Sequence, residues 1–254
     1  ALLRDGESVR TLSAGEAGCV VLDRSPFYAE MGGQVADTGT ITSPDGASCA
    51  RVTDVKAPES GLIVHYVQVE QGSFTIDDEV IGSIDVARRE RIRRNHTATH
   101  ILHKVLSEVL GNHVKQAGSY VAPNRLRFDF THFEAIDRVT LDEIENVANR
   151  VIMEAHPVYT YETTLDEARE QGVTALFGEK YGEVVRVVDI DGFSRELCGG
   201  THVRNTSEIG FVKIVSEQST GANMRRIEAV TSFDALAYTC LLYTSDAADE
   251  GLGV

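Results

Sequence analysis

The spacing of apolar positions changes character near residue 85. Before it, short apolar or alternating runs recur at 20–22, 50–52, 62–69 and 80–84, separated by turn signals such as Ser-Pro-Asp-Gly at 43–46 and Pro-Glu-Ser-Gly at 58–61. Several strands at that spacing predict a small β-barrel. After it the period lengthens. From Asn95, residues Ile101, Leu102, Val105, Leu106, Val109 and Leu110 recur with helical spacing, and Gly111 is a natural stop. Asp85 stands where it can end the last strand and cap the next element. Residues 115–121 and 126–131 predict two strands turned by Pro123 and Asn124; Leu126, Phe128 and Phe130 alternate with Arg127, Asp129 and Thr131, giving one buried face.

A helix from Thr140 carries Leu141, Ile144, Val147, Ala148, Val151, Ile152 and Ala155 on one stripe, with Thr140 and Glu143 matching a capping box and Pro157 ending it. Residues 158–163 predict a strand, and Thr164 with Glu167 repeats the capping signal for a short helix closed by Gly172. Strands at 183–190, 209–215 and 226–230 complete the set. Helices over a mostly antiparallel sheet make the fold class α+β. The expected organisation is a β-barrel over 1–85, an α+β domain over 86–232 and a tail over 233–254. From Cys240 the tail has neither period nor turn logic; it resembles a translated sequencing adaptor, so 240–254 is expected to be non-native.

Composition narrows the class. A hydrophobic content of 42% in 254 residues is enough for real cores. No apolar run reaches the length of a membrane span and no signal peptide opens the chain, so no membrane association is expected. The four cysteines (Cys19, Cys49, Cys198 and Cys240) are irregularly spaced, which suits the reducing cytoplasm better than a disulfide framework. The chain opens on Ala1 in what reads as mid-domain, so a piece of a longer protein is expected. A net charge of −15 argues against a broad nucleic-acid surface. One basic cluster, Arg88, Arg89, Arg91, Arg93 and Arg94, stands against it, with a solvated helix face as the competing reading.

The candidate chemistry lies just beyond that cluster. On a helix His96 and His100 lie one turn apart on one face. Cys198 and His202 are also four apart, but Gly199 and Gly200 between them favour a tight turn over a helix. Three imidazoles and one thiolate suit Zn2+, which takes nitrogen and sulfur tetrahedrally. His-x3-His alone is weak; the Cys-Gly-Gly-Thr-His run strengthens it, against separate core or surface histidines. His103 is a possible rival ligand. Thr, Ala and Thr between His96 and His100 leave no general-base Glu, which argues against a metalloprotease. The segment 25–39 joins aromatics, an acid and a Gly-Gly step, readable as an ordinary turn or as close approach by a backbone or nucleotide.

Six stretches together resemble the alanyl-tRNA synthetase family, specifically its β-barrel and post-transfer editing region. They are Ser-Pro-Phe-Tyr-Ala-Glu-Met-Gly-Gly-Gln from Ser25, Arg-Asn-His-Thr-Ala-Thr-His from Arg94, Val-Lys-Gln-Ala-Gly-Ser from Val114, Leu-Arg-Phe-Asp-Phe-Thr-His from Leu126, the pair running from Ala175 to Glu196-Leu-Cys-Gly-Gly-Thr-His-Val, and Arg-Arg-Ile-Glu-Ala-Val from Arg225. The resemblance spans the chain to about residue 232, without the family's aminoacylation domain or its C-terminal parts. It implies an aminoacyl-tRNA deacylase that removes serine or glycine from alanine-specific tRNA. The need is physical: a pocket that admits alanine cannot strongly reject a smaller residue or one added hydroxyl. The resemblance also implies that His96, His100, Cys198 and His202 bind zinc and that Gln116 lines the aminoacyl pocket. A hydroxyl from Thr97 or Thr99 could read the seryl hydroxyl, with local helix capping as the competing role. Arg88, Arg89, Arg93, Arg94, Arg225 and Arg226 are the candidate tRNA contacts. A free-standing trans-editing relative, a non-catalytic zinc-stabilised RNA-binding module and a zinc hydrolase of small esters are the alternatives.

Overall fold

The computed structural model describes residues 1–59, 61–175 and 181–250, with 245–250 described by backbone alone. The chain divides into two compact units, Ala1–Arg89 and Glu90–Val254.

Among its described residues the first unit holds nine strands: β1 (Leu2–Arg4), β2 (Glu7–Ser8), β3 (Thr11–Ser13), β4 (Ala17–Val21), β5 (Gly39–Thr42), β6 (Cys49–Glu59), β7 (Leu62–Gln71), β8 (Ser73–Thr75) and β9 (Ile81–Ile84). Seven form one antiparallel sheet in the order β2-β1-β4-β7-β6-β5-β9, and β3 pairs with β8 beside it. Among the described residues no pairing between β2 and β9 is found, and the antiparallel strands form the β domain that the sequence predicts. Its inner faces bury Leu12, Val20, Ile41, Val52, Val55, Val67 and Phe74. The segment 25–37 folds against this core. Met31 pairs with Gln34 across Gly32 and Gly33, whose φ values of 59° and 86° are left-handed. A side chain on Gly32 would meet no atom within 4 Å, so the glycine answers the turn's dihedral demand rather than a close approach. The Asp37 carboxylate accepts from the Tyr28 amide and pairs with the buried Arg89 guanidinium.

The second unit is built from α1 (Val86–Leu110), which begins before the boundary, then β10 (Gln116–Ala122), β11 (Arg125–Thr131), α2 (Arg138–Met153), β12 (Val158–Thr164), α3 (Leu165–Glu170), β13 (Val184–Ile190) and β14 (Ser194–Leu197). A 3-10 turn at Thr206–Ile209, β15 (Val212–Gly221), β16 (Met224–Thr231) and α4 (Ser232–Glu250) complete it. Two antiparallel sheets run β10-β11-β16-β15 and β12-β13-β14, so the α+β class holds. Ala98, Ile101, Leu102, Val105 and Leu106 of α1 pack with Leu126, Phe128 and Phe130 of β11 and with Ile144, Ala148 and Ile152 of α2 in one core. Burying a side chain of this size is worth roughly 1.5–3 kcal/mol, which is why α1 presents that stripe inward. The histidines of α1 fall on the adjoining face.

Several boundaries differ from the sequence reading. Helix α1 starts at Val86, earlier than the apolar period from Asn95, and the Asp85 carboxylate accepts from the Arg88 amide as the N-cap that the sequence predicts. The α2 cap is Asp137, which accepts from the Thr140 amide, so the Thr140 and Glu143 signal lies one turn inside the helix. The Thr164 and Glu167 capping box is formed as expected. The strand expected at 209–215 begins at Val212, since Ile209 ends the 3-10 turn. Strand β14 has no counterpart in the sequence reading, and α4 runs through positions 240–250, where the sequence shows no period.

Candidate metal centre

The helical period of α1 sets His96, His100 and His103 along one line, and the loop after β14 carries Cys198 and His202 to meet it. One donor atom from each of His96, His100, Cys198 and His202 lies within 4.8 Å of the others. His96 and His202 both aim Nε2 at the Cys198 sulfur, at 3.4 Å each. The three rings crowd together, with centroids 4.3 Å (His96–His202), 4.9 Å (His100–His202) and 5.3 Å (His96–His100) apart. Between Cys198 and His202 the backbone is neither helix nor strand, as the glycines predict. Arg186 of β13 pins this loop by donating to the Cys198 and Gly200 carbonyls at 2.8 and 2.7 Å.

The outward nitrogens are held as well. The Nδ1 of His100 meets the buried Glu196 carboxylate at 2.9 Å, and that of His202 meets Thr97 Oγ1 at 3.1 Å. Each contact fixes a tautomer that leaves Nε2 free to ligate. Glu196 also takes His103 Nδ1 at 3.2 Å and the Ser194 hydroxyl at 3.0 Å. His103 is therefore held on the carboxylate behind the ligands, outside the cluster of four.

Electrostatics reflect that layout. Burial works to raise the Cys198 thiol, but the His96 and His202 imidazoles beside it outweigh burial and hold it well below the ordinary thiol value. Burial and the His96 charge together push His202 down to about 3. Burial opposes charge on His100, yet the Glu196 carboxylate raises it to about 10. Glu196 in turn is held far below the usual carboxylate range despite its own burial, chiefly by His100. The Cys198 thiolate and the neutral His202 can take a cation directly, while His100, an imidazolium balanced by Glu196, must release its Nε2 proton to join them.

The other expected site residues fall in different places. Thr97 is fully buried, its hydroxyl oxygen accepting from the Val203 amide at 3.2 Å as well as meeting His202. Thr99 donates to the Asn95 carbonyl one turn back, at 2.8 Å. Gln116 lines a cavity of about 920 Å³ together with His103, Lys104, Lys115, Arg195 and Glu196. The arginines each have a partner within the protein. Arg88 donates to the Ala36 carbonyl and Arg89 is buried on Asp37. Arg93 pairs with Glu90, and Arg94 donates to the Glu208 carbonyl. Arg225 pairs with Glu217 and Arg226 with Asp129. The sequence reading missed Glu196, Arg186 and Ser194. A Glu two residues before the candidate ligand Cys198 was the one available signal.

Residues 185–228, which include Cys198 and His202, match a family model described as the threonyl and alanyl tRNA synthetase second additional domain. Residues 1–88 match one described as tRNA synthetases class II (A). The chain is 52% identical over 238 residues to an alanine–tRNA ligase of Desulforudis audaxviator, covering 94% of this chain and 27% of that protein. It is 52% identical over 233 residues to the enzyme of the same name from Thermotoga maritima, covering 92% and 27%. Against that of Pelotomaculum thermopropionicum the identity is 50% over 237 residues, covering 93% and 27%. The chain belongs to the alanyl-tRNA synthetase family and spans about a quarter of the length of the relatives it matches.

Proposed function

We propose that this chain is a hydrolytic editing region, which cleaves the ester of alanine-specific tRNA wrongly charged with serine or glycine, with zinc at the four-residue centre. The convergence of His96, His100, Cys198 and His202, backed by Glu196 and Thr97, carries the reading. At ordinary zinc bond lengths and a tetrahedral angle, sulfur and nitrogen stand about 3.5 Å apart, close to the two 3.4 Å separations found here. Bound zinc would supply a Lewis acid for the ester carbonyl or a more acidic water.

The chain's own groups perform the rest. His96 and His202 turn Nε2 to the Cys198 thiolate, and His100 would add a third nitrogen once its Nε2 proton is displaced by the metal. Glu196 holds the His100 ring in place and keeps its Nδ1 protonated. Gln116 offers an amide donor and acceptor to the aminoacyl group from the wall of the cavity. Lys115 on that wall supplies positive charge for RNA phosphates, beside Lys104 and Arg195, which pair with Glu108 and Asp189. Arg93 and Arg94 stand nearer to the ligands in sequence than the other arginines and are the first of the six to test.

Four protein ligands close a tetrahedral shell, as in structural sites. That favours one second reading, a zinc-stabilised tRNA-binding module without catalysis. Zinc-loaded protein incubated with seryl-tRNA and alanyl-tRNA separates the two. Release of serine with alanine retained supports editing; stable seryl-tRNA supports the second reading. Cys198→Ala sharpens the result, since full activity without the thiol removes it from the reaction.

A further inference from the structure

Phe133 is 70% exposed, yet its ring is not loose. It stacks on His113 with centroids 4.9 Å apart and planes 23° apart. His113 in turn lies nearly parallel to His132, at 5.1 Å and 20°, with a 2.8 Å hydrogen bond between His113 Nε2 and His132 Nδ1. The backbone beneath is fixed. Thr131 Oγ1 donates to the His113 carbonyl and accepts from the Lys115 amide, and the His132 amide donates to the Asn223 carbonyl. Phe233 is about as exposed, at 78%, but has no ring contact among the described residues. Of the two, only Phe133 offers the open face of a preassembled flat stack.

What covers that face is indicated by its neighbours. Lys115, two residues after His113, is exposed, has no ion-pair partner among the described residues, and lines the 920 Å³ cavity with Gln116. A flat π-face with a free ammonium beside it matches an unpaired nucleobase and its phosphate. We infer that Phe133, backed by His113 and His132, is a stacking shelf for an unpaired base of the tRNA 3′ end, with Lys115 taking the adjoining phosphate. This rests on the proposed tRNA reading and adds where the single strand lies as it approaches Gln116.

The test uses the whole chain and an acceptor-stem hairpin carrying the unpaired 3′ nucleotides of tRNA, with 2-aminopurine placed at each overhang position in turn. Wild-type protein is expected to quench one position, and Phe133→Ala to lose that quench and bind roughly five- to a hundred-fold more weakly. Phe133→Trp should retain both, and Lys115→Gln should weaken binding and flatten its salt dependence by about one phosphate contact. Because Phe133 is exposed, an unchanged melting temperature checks that the Ala variant is folded. Equal binding by wild type and Phe133→Ala, or no quench at any position, overturns the shelf and leaves the face to a protein segment. Seryl-tRNA hydrolysis measured alongside separates the two proposals: a quench without hydrolysis keeps the shelf and sinks editing, while hydrolysis undiminished in Phe133→Ala does the reverse.

Discussion

The second unit contains two histidine clusters built in opposite ways. His96, His100 and His202 are buried, turn Nε2 inward to one thiolate, and have carboxylate or hydroxyl partners behind two of them. His113 and His132 lie side by side under an exposed Phe133, bonded to each other through ring nitrogens, with no thiol in the group. Imidazoles at short range are common to both. A centre that can hold an ion differs in having lone pairs that converge and second nitrogens that are occupied. The stacked pair instead uses one lone pair on its neighbour and presents a flat face outward.

Metal removal should separate the clusters most strongly. Ligation at 1,000 times its dissociation constant is worth ~4 kcal/mol, so chelation should lower the melting temperature by on the order of 10 °C. His113→Gln should shift it by only about 2 °C and leave the chelator effect intact; scanning fluorimetry with and without chelator reads both. Next in size is the carboxylate behind the ligands. Glu196→Gln keeps the volume and removes the charge, and should weaken zinc binding by roughly 10–100-fold in competition with a chromophoric chelator.

The two threonines give a smaller and sharper contrast. Thr97→Val strips an acceptor from the Val203 amide and from His202 Nδ1, at a cost of about 1–3 kcal/mol for each donor left unpaired. Thr99→Val removes only a donor to a helix carbonyl and should cost under ~1 kcal/mol. Urea unfolding of the two variants checks the order, and equal losses would break the assignment of Thr97 to His202.

The smallest effect concerns pH. Burial, reinforced by the His113 charge, depresses His132. The unfolded chain therefore takes up the proton first, and the contribution of this histidine is present above its unfolded value of about 6.5 and is lost as pH falls through the lower folded one. His132→Gln should flatten the slope of the urea midpoint between neutral pH and that lower value.

Much of this was legible in the sequence because it depends on local period. The stripe through Ile101, Leu102, Val105 and Leu106 places His96 and His100 on one face whatever surrounds them. The glycines after Cys198 announce an irregular loop. Glu196 was not legible, since a carboxylate in a four-residue strand reads as surface until two histidines from another element are brought against it. The threonines could be placed near the centre but not aimed, because aiming depends on the Val203 amide and His202 ring arriving from about a hundred residues away. Charge alone does not give the arginines' partners. Within the run of five basic residues, Arg89 is buried on Asp37 while Arg91 reaches Asp234, and neither partner is near it in sequence.

The central claim is that two distant segments meet on one ion, and zinc-edge X-ray absorption of the purified chain tests it most directly. One sulfur at about 2.3 Å with three nitrogens at about 2.0–2.1 Å is the expected shell. A shell of nitrogen and oxygen alone, or protein that retains no zinc after gel filtration, would contradict it.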